Sequence, residues 1–119
     1  LALTLTLSAA ALADPVRHLG STRLTHHEND VDVITFKNCR AGVNAVQVRV
    51  RRGNVEIESI WVQFANGERD TLSVRDRIAR GGESRWIDVR GGERCITAIG
   101  VIGDTENSRK QARVDVYGR

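Results

Sequence analysis

Residue types that carry chemistry are few in this chain, and their spacing tells against the common mechanisms. The three histidines, His18, His26 and His27, crowd towards the N-terminus with Glu28, Asp30 and Asp32 close by. Adjacent His26 and His27 would project to opposite faces of a strand. Neither H-E-x-x-H nor the paired spacing of a zinc finger occurs, so no metal and no other cofactor is expected. Ser59, Ser73 and Ser84 lack the G-x-S-x-G turn that presents a nucleophilic serine. Glu56/Glu58 and Asp30/Asp32 would each share a strand face about 7 Å apart, a separation that glycosidase pairs also use. Glu56 and Glu58, however, are expected opposite Arg51 and Arg49, and a neighbouring guanidinium keeps a carboxyl ionised rather than tuned as an acid. Residues 30–32 and 104–107 offer oxygen ligands for calcium but not in EF-hand order. Gly81-Gly82 and Gly91-Gly92 lack the Walker pattern and read as turns.

The two cysteines, Cys39 and Cys95, allow a single intramolecular pairing. They stand too far apart for a C-x-x-C redox pair, and a structural disulfide is expected, which removes any thiol nucleophile. No group is left with a catalytic context, so the expectation is a non-catalytic protein.

Binding chemistry is a better prospect. Trp86 has Arg85, Asp88 and Arg90 around it, and a ring among hydrogen-bonding groups is how proteins stack on sugars. That cluster is the candidate ligand-binding face, for an envelope glycan or anionic polymer; the competing reading spends both tryptophans, Trp61 and Trp86, on the core. Bases outnumber acids by 18 to 15, and Lys37 and Lys110 are the only lysines. Arginine in such excess suits forked contacts with phosphate or carboxylate, but acids and bases interleave, and a solvated strand surface explains them equally. Nucleic acid is not expected of a chain with only 2 Trp, 1 Tyr and 2 Phe.

The elements that must position these residues read as strands. One proline, Pro15, and 11 glycines punctuate short Val/Ile-rich runs without helical period. The clearest segment is a meander from Ala45 to Val74. A type II′ turn at Gly53-Asn54 would set Arg51 opposite Glu56, Val50 opposite Ile57 and Arg49 opposite Glu58. A type I′ turn at Asn66-Gly67 would set Trp61 opposite Leu72 and Ser59 opposite Val74. Together these turns predict one buried face made of Val46, Val48, Val50, Val55, Ile57, Trp61, Leu72 and Val74. The other face then carries an apolar stripe, Ile60, Val62 and Phe64. It is either covered by another segment, with Leu19–Val33 the candidate, or it is a partner face for a second protein.

A third hairpin is expected from Arg85–Val89 through Gly91-Gly92 into Cys95–Ile102. Further strands are expected near Val31–Phe36 and Ala112–Tyr117, and Arg75–Gly82 as a loop or one helical turn. The sum is an all-β, small antiparallel β-sandwich of seven or eight short strands with one disulfide. Residues 1–13, LALTLTLSAAALA, have the apolar run and closing Ala-Leu-Ala of a secretory signal peptide. Residues 14–119 are then one exported domain, periplasmic or secreted, without an apolar run long enough to span a membrane.

The stretch VQFANGERDTLSVRDRIARGGESRWIDVRGGERCITAI resembles the YaaI-like family of small exported bacterial proteins. The shared features run from Leu19-Gly20 through Cys39, Val62 and Phe64 to Gly82, Trp86-Ile87, Arg94-Cys95-Ile96 and Ile99. They cover about Leu19 to Gly103. The resemblance implies a periplasmic, β-rich protein with the same two cysteines. It supplies no catalytic residue, because the family's function is unknown. The connection between Val89 and Arg94 is shorter than the family leads one to expect.

Overall fold

The computed structural model describes residues 15–25, 27, 30–90, 94–105 and 111–119. The expected leader, His26, Glu28 and the Gly91-Gly92 turn lie outside the described residues.

Eight strands form and, among the described residues, no helix: β1 (Arg17–Leu24), β2 (Asp30–Arg40), β3 (Ala45–Arg52), β4 (Val55–Phe64), β5 (Arg69–Ile78), β6 (Ile87–Asp88), β7 (Ile96–Asp104) and β8 (Ala112–Gly118). They make two four-stranded antiparallel sheets, β1-β8-β3-β6 (sheet 1) and β2-β7-β4-β5 (sheet 2). Alternation produces the sandwich. Val46, Val48, Val50, Val114 and Val116 point inward from sheet 1 to meet Val55, Ile57, Ile60, Val62, Phe64 and Ile99 of sheet 2. The all-β, disulfide-bonded sandwich expected from the sequence is the observed architecture.

Pairing departs from expectation at three places. Gly53-Asn54 joins β3 of sheet 1 to β4 of sheet 2 and is a crossover between layers, not a hairpin. Arg51 and Arg49 therefore do not face Glu56 and Glu58; Glu56 lies opposite Arg77 of β5. The Asn66-Gly67 hairpin does form, one residue out of the expected register: Trp61 pairs with Thr71, Ile60 with Leu72 and Ser59 with Ser73. Its loop has three residues rather than two. Gly67 N–H donates to Phe64 O at 2.9 Å, and Gly67 takes φ +87°, which is the type I turn closed by a left-handed residue. Third, Arg85–Val89 does not pair with β7. β6 extends sheet 1 beside β3, with Val46 opposite Ile87, while β7 lies between β2 and β4.

A one-residue slip exchanges the faces of a strand, and β4 shows the consequence. Its register shifts between Ile57 and Ser59 against both neighbours. Ile57 points inward before the irregularity, and Ile60, Val62 and Phe64 point inward after it, with exposures of 0%, 0% and 1%. The apolar stripe is core, covered by sheet 1 rather than by the N-terminal stretch alone, and it is not a partner face. Trp61, expected inside, lies half-buried on the outer face of sheet 2. There its indole covers Gly100, where a Cβ would come within 2.0 Å of the ring, and the Arg69 guanidinium sits 4.1 Å from its centroid. Residues 75–78, expected as loop or helix, continue β5 past Arg75, whose φ is +48°.

Cys39 of β2 and Cys95, next to the start of β7, are bridged with Cα atoms 5.3 Å apart. These strands are neighbours in sheet 2, and the bridge sits where their register breaks between Thr35 and Arg40. No helix among the described residues is long and apolar enough to cross a membrane.

Candidate functional site

One end of sheet 1 gathers arginines. Arg23 at the end of β1 pairs in register with Arg113 of β8, and Arg113 pairs with Arg52 at the end of β3. Neighbouring strands lie about 4.8 Å apart, so these three side chains leave the backbone within about 10 Å of one another. Their alignment depends on an irregularity between Val50 and Arg52 in β3. That extra residue brings Arg52 opposite Arg113 while Arg51 reaches towards β8.

Arg80 enters from the loop after β5. Its backbone N–H donates to Asn54 Oδ1 at 3.0 Å, and the N–H of Gly81 donates to Val50 O at 2.8 Å, which seats this loop beside the end of β3. Arg23, Arg51, Arg52, Arg80, Gln111 and Arg113 line an open cleft of about 700 Å³. Among the described residues no carboxylate pairs with the side chains of Arg23, Arg52, Arg80 or Arg113. Like charges directly opposite in a sheet repel, so this row opposes folding.

Arg51 differs. Its Nε lies 2.6 Å from Asp115 Oδ2, and the same carboxylate accepts from Ser21 Oγ and lies 2.9 Å from His18 Nε2. Asp115 is 5% exposed. Burial pushes its carboxyl up, but the hydrogen bonds from Ser21, His18 and Arg51 and the Arg51 charge outweigh burial and hold it below the ordinary value. His18 also meets Tyr117 edge-on at 5.2 Å, and the Arg49 guanidinium covers that tyrosine at 3.9 Å.

Ser21, His18 and Asp115 have the residue types of a hydrolase triad without its geometry. Ser21 Oγ and Asp115 Oδ1 both approach the same nitrogen, Nε2, at 3.3 and 2.9 Å, and Ser21 bonds Asp115 directly. A relay needs the acid on one ring nitrogen and the nucleophile on the other. The cluster braces β1, β3 and β8 beneath the arginine row.

The face expected around Trp86 is not gathered into one site. Arg85 turns to β5, donating to Val74 O at 2.9 Å, Ser73 O at 3.1 Å and Asp76 Oδ2 at 3.1 Å. Trp86 is half-buried and turns towards the C-terminus, with the Arg119 guanidinium 4.4 Å from its ring centroid. Asp88 and Arg90 are exposed. Two consecutive residues thus serve opposite layers. The arginine row escaped notice in the sequence because its members lie on four separate segments; the excess of Arg over Lys was its only trace.

A family model described as a domain of unknown function (DUF2541) matches residues 1–118. The chain belongs to the DUF2541 family. Curated relatives include the UPF0412 protein YaaI of Salmonella newport, 28% identical over 96% of this chain and 88% of the relative. The YaaI protein of Salmonella typhimurium matches with the same identity and coverage. The resemblance read from Leu19-Gly20, Trp86-Ile87 and Arg94-Cys95 is therefore a true kinship. Among solved structures, Pseudomonas aeruginosa AlgX aligns with a TM-score of 0.56 and 10% identity, over 87% of this chain and 26% of that one. At that identity the likeness is one of fold, and this DUF2541 chain spans about a quarter of AlgX.

Proposed function

We propose that the protein is a non-catalytic, exported binding module that holds an anionic glycan or polymer of the bacterial envelope, periplasmic or secreted, at the arginine cleft. The observation that carries this reading is the row Arg23–Arg113–Arg52 with Arg80 beside it, four guanidinium groups without carboxylate partners among the described residues. Guanidinium forks match oxyanions two bonds at a time, and a polar, open cleft admits a hydrated chain. The leader-like residues 1–13 and the Cys39–Cys95 bridge support export. The cleft replaces the Trp86 face as the binding surface, since Arg85 is committed to β5.

Titration calorimetry on the oxidised chain tests this with an acidic oligosaccharide and its neutral counterpart at low and at physiological salt. Saturable binding of the acidic ligand alone, weakened by salt and lost in R52Q/R113Q, is expected. Equal binding of the neutral sugar, or an undiminished signal in the double variant, would refute it.

A further inference from the structure

Four of the five arginines of the cleft stand in a row, and the length and charge of that row specify the anion. Across the sheet end the order is β1, β8, β3 and then the loop seated against β3, which places Arg23, Arg113, Arg52 and Arg80 in succession. Arg113 stands opposite both Arg23 and Arg52, so the row is even, and two anions seated towards its ends would be shared by Arg23 with Arg113 and by Arg52 with Arg80. Partners within a pair stand about one strand spacing apart and the pair centres about two, roughly 5 and 10 Å. Two guanidinium groups one strand apart can grip a single tetrahedral anion from both sides, and the second pair repeats that grip further along.

Charge narrows the ligand. The four groups bring four positive charges, and no described carboxylate forms an ion pair with them, although Asp32 accepts from the backbone N–H of Arg23 at 2.9 Å. A phosphate monoester carries about −1.5 to −2 at neutral pH, so two of them balance the row, whereas carboxylates at −1 each would have to arrive four at a time. Gln111 adds an uncharged amide at the same cleft, suited to a hydroxyl lying between the anions. The volume, about 700 Å³, lies within the range of small-ligand sites. None of the described lining residues is apolar; of the exposed large apolar residues, Val31 and Val33 stand on β2 of the other sheet and Val16 precedes β1 at the end away from Arg23. That lining favours a hydrated sugar over a lipid tail.

Resting on the proposed anion-binding reading, we infer that the cleft takes a sugar bearing two phosphate monoesters about 10 Å apart, one held by Arg23 and Arg113 and the other by Arg52 and Arg80.

Titration of the full oxidised chain with fructose 1,6-bisphosphate, glucose 6-phosphate, inorganic phosphate and trigalacturonate tests the assignment. The bisphosphate should bind at least about tenfold more tightly than either monophosphate. R23Q/R113Q and R52Q/R80Q should each reduce its affinity about tenfold, to the level of the monophosphate, while R69Q on the opposite sheet changes nothing. Thermal unfolding of each variant separates lost binding from lost fold. Equal affinity for mono- and bisphosphate overturns the two-pair assignment, and so does tighter binding of trigalacturonate, although the latter leaves the cleft an anion site. Failure of every anion removes both this inference and the proposed function.

Discussion

Two residues on the outer face of sheet 1 show opposite relations between charge and stability. Asp115 is nearly buried with Ser21, His18 and Arg51 on its carboxylate, so D115N should cost about 1–3 kcal/mol, towards the lower end because His18 and Arg51 are half-exposed. Its folded carboxyl is held below the unfolded value of about 3.9. The charge therefore contributes fully above that value and is lost as pH falls through the still lower folded pKa. Urea unfolding from pH 7 to pH 2 should show the gap between wild type and D115N persisting to about pH 4 and closing below it. A gap unchanged down to pH 2 would mean that shape, not charge, is what Asp115 supplies. Arg113 stands between two other arginines. R113Q should accordingly stabilise the fold by about 0.2–1 kcal/mol, with the gain fading in high salt. A destabilised R113Q would point to an unrecognised carboxylate partner.

Elements were legible where a local pattern suffices to specify them, and pairing was not. β3, β4, β5 and β8 are readable from Val/Ile alternation. Nothing local, however, distinguishes a two-residue link within a sheet from one between layers, and Gly53-Asn54 proved to be the second kind. The Asn66-Gly67 turn was recognisable, but one extra loop residue moved the register there, and the irregularity between Ile57 and Ser59 turned Ile60, Val62 and Phe64 inward while Val55 and Ile57 kept the expected face. The arginine cleft depends on that same non-local information, since only the β1-β8-β3 pairing aligns residues 23, 113 and 52. Ile60 tests the corrected face: I60A should cost about 2–5 kcal/mol, whereas an exposed stripe would lose almost nothing. Glycines test the turns and the layer contacts separately. Gly67 has φ +87° and open space around it, so G67A should cost only the backbone strain, about 1–2 kcal/mol. At Gly103 a Cβ would lie 2.3 Å from Glu56 O, and β4 itself would have to move. Chemical denaturation should rank G103A as the more damaging, and the reverse order would place the β4–β7 contact wrongly.

At the scale of the whole molecule, staple and cleft belong to different layers. Cys39–Cys95 ties β2 to the β7 end within sheet 2, and the arginines stand on sheet 1 and the loop beside β3. The bridge closes a loop of 56 residues in sequence separation, which by chain entropy is worth about 4 kcal/mol against the unfolded state. For a small domain, whose total stability is about 5–15 kcal/mol, that is a large share. Yet it acts mainly on the unfolded chain and touches no residue of the cleft. C39S/C95S should thus unfold at markedly lower urea concentration. Under conditions where it remains folded, its affinity for fructose 1,6-bisphosphate should match that of the oxidised protein. Parallel unfolding and calorimetric titrations check both halves. A fall in affinity proportionate to the loss of stability would show that sheet 2 holds the arginine row in register through the shared core, and binding would then depend on the redox state of the bridge.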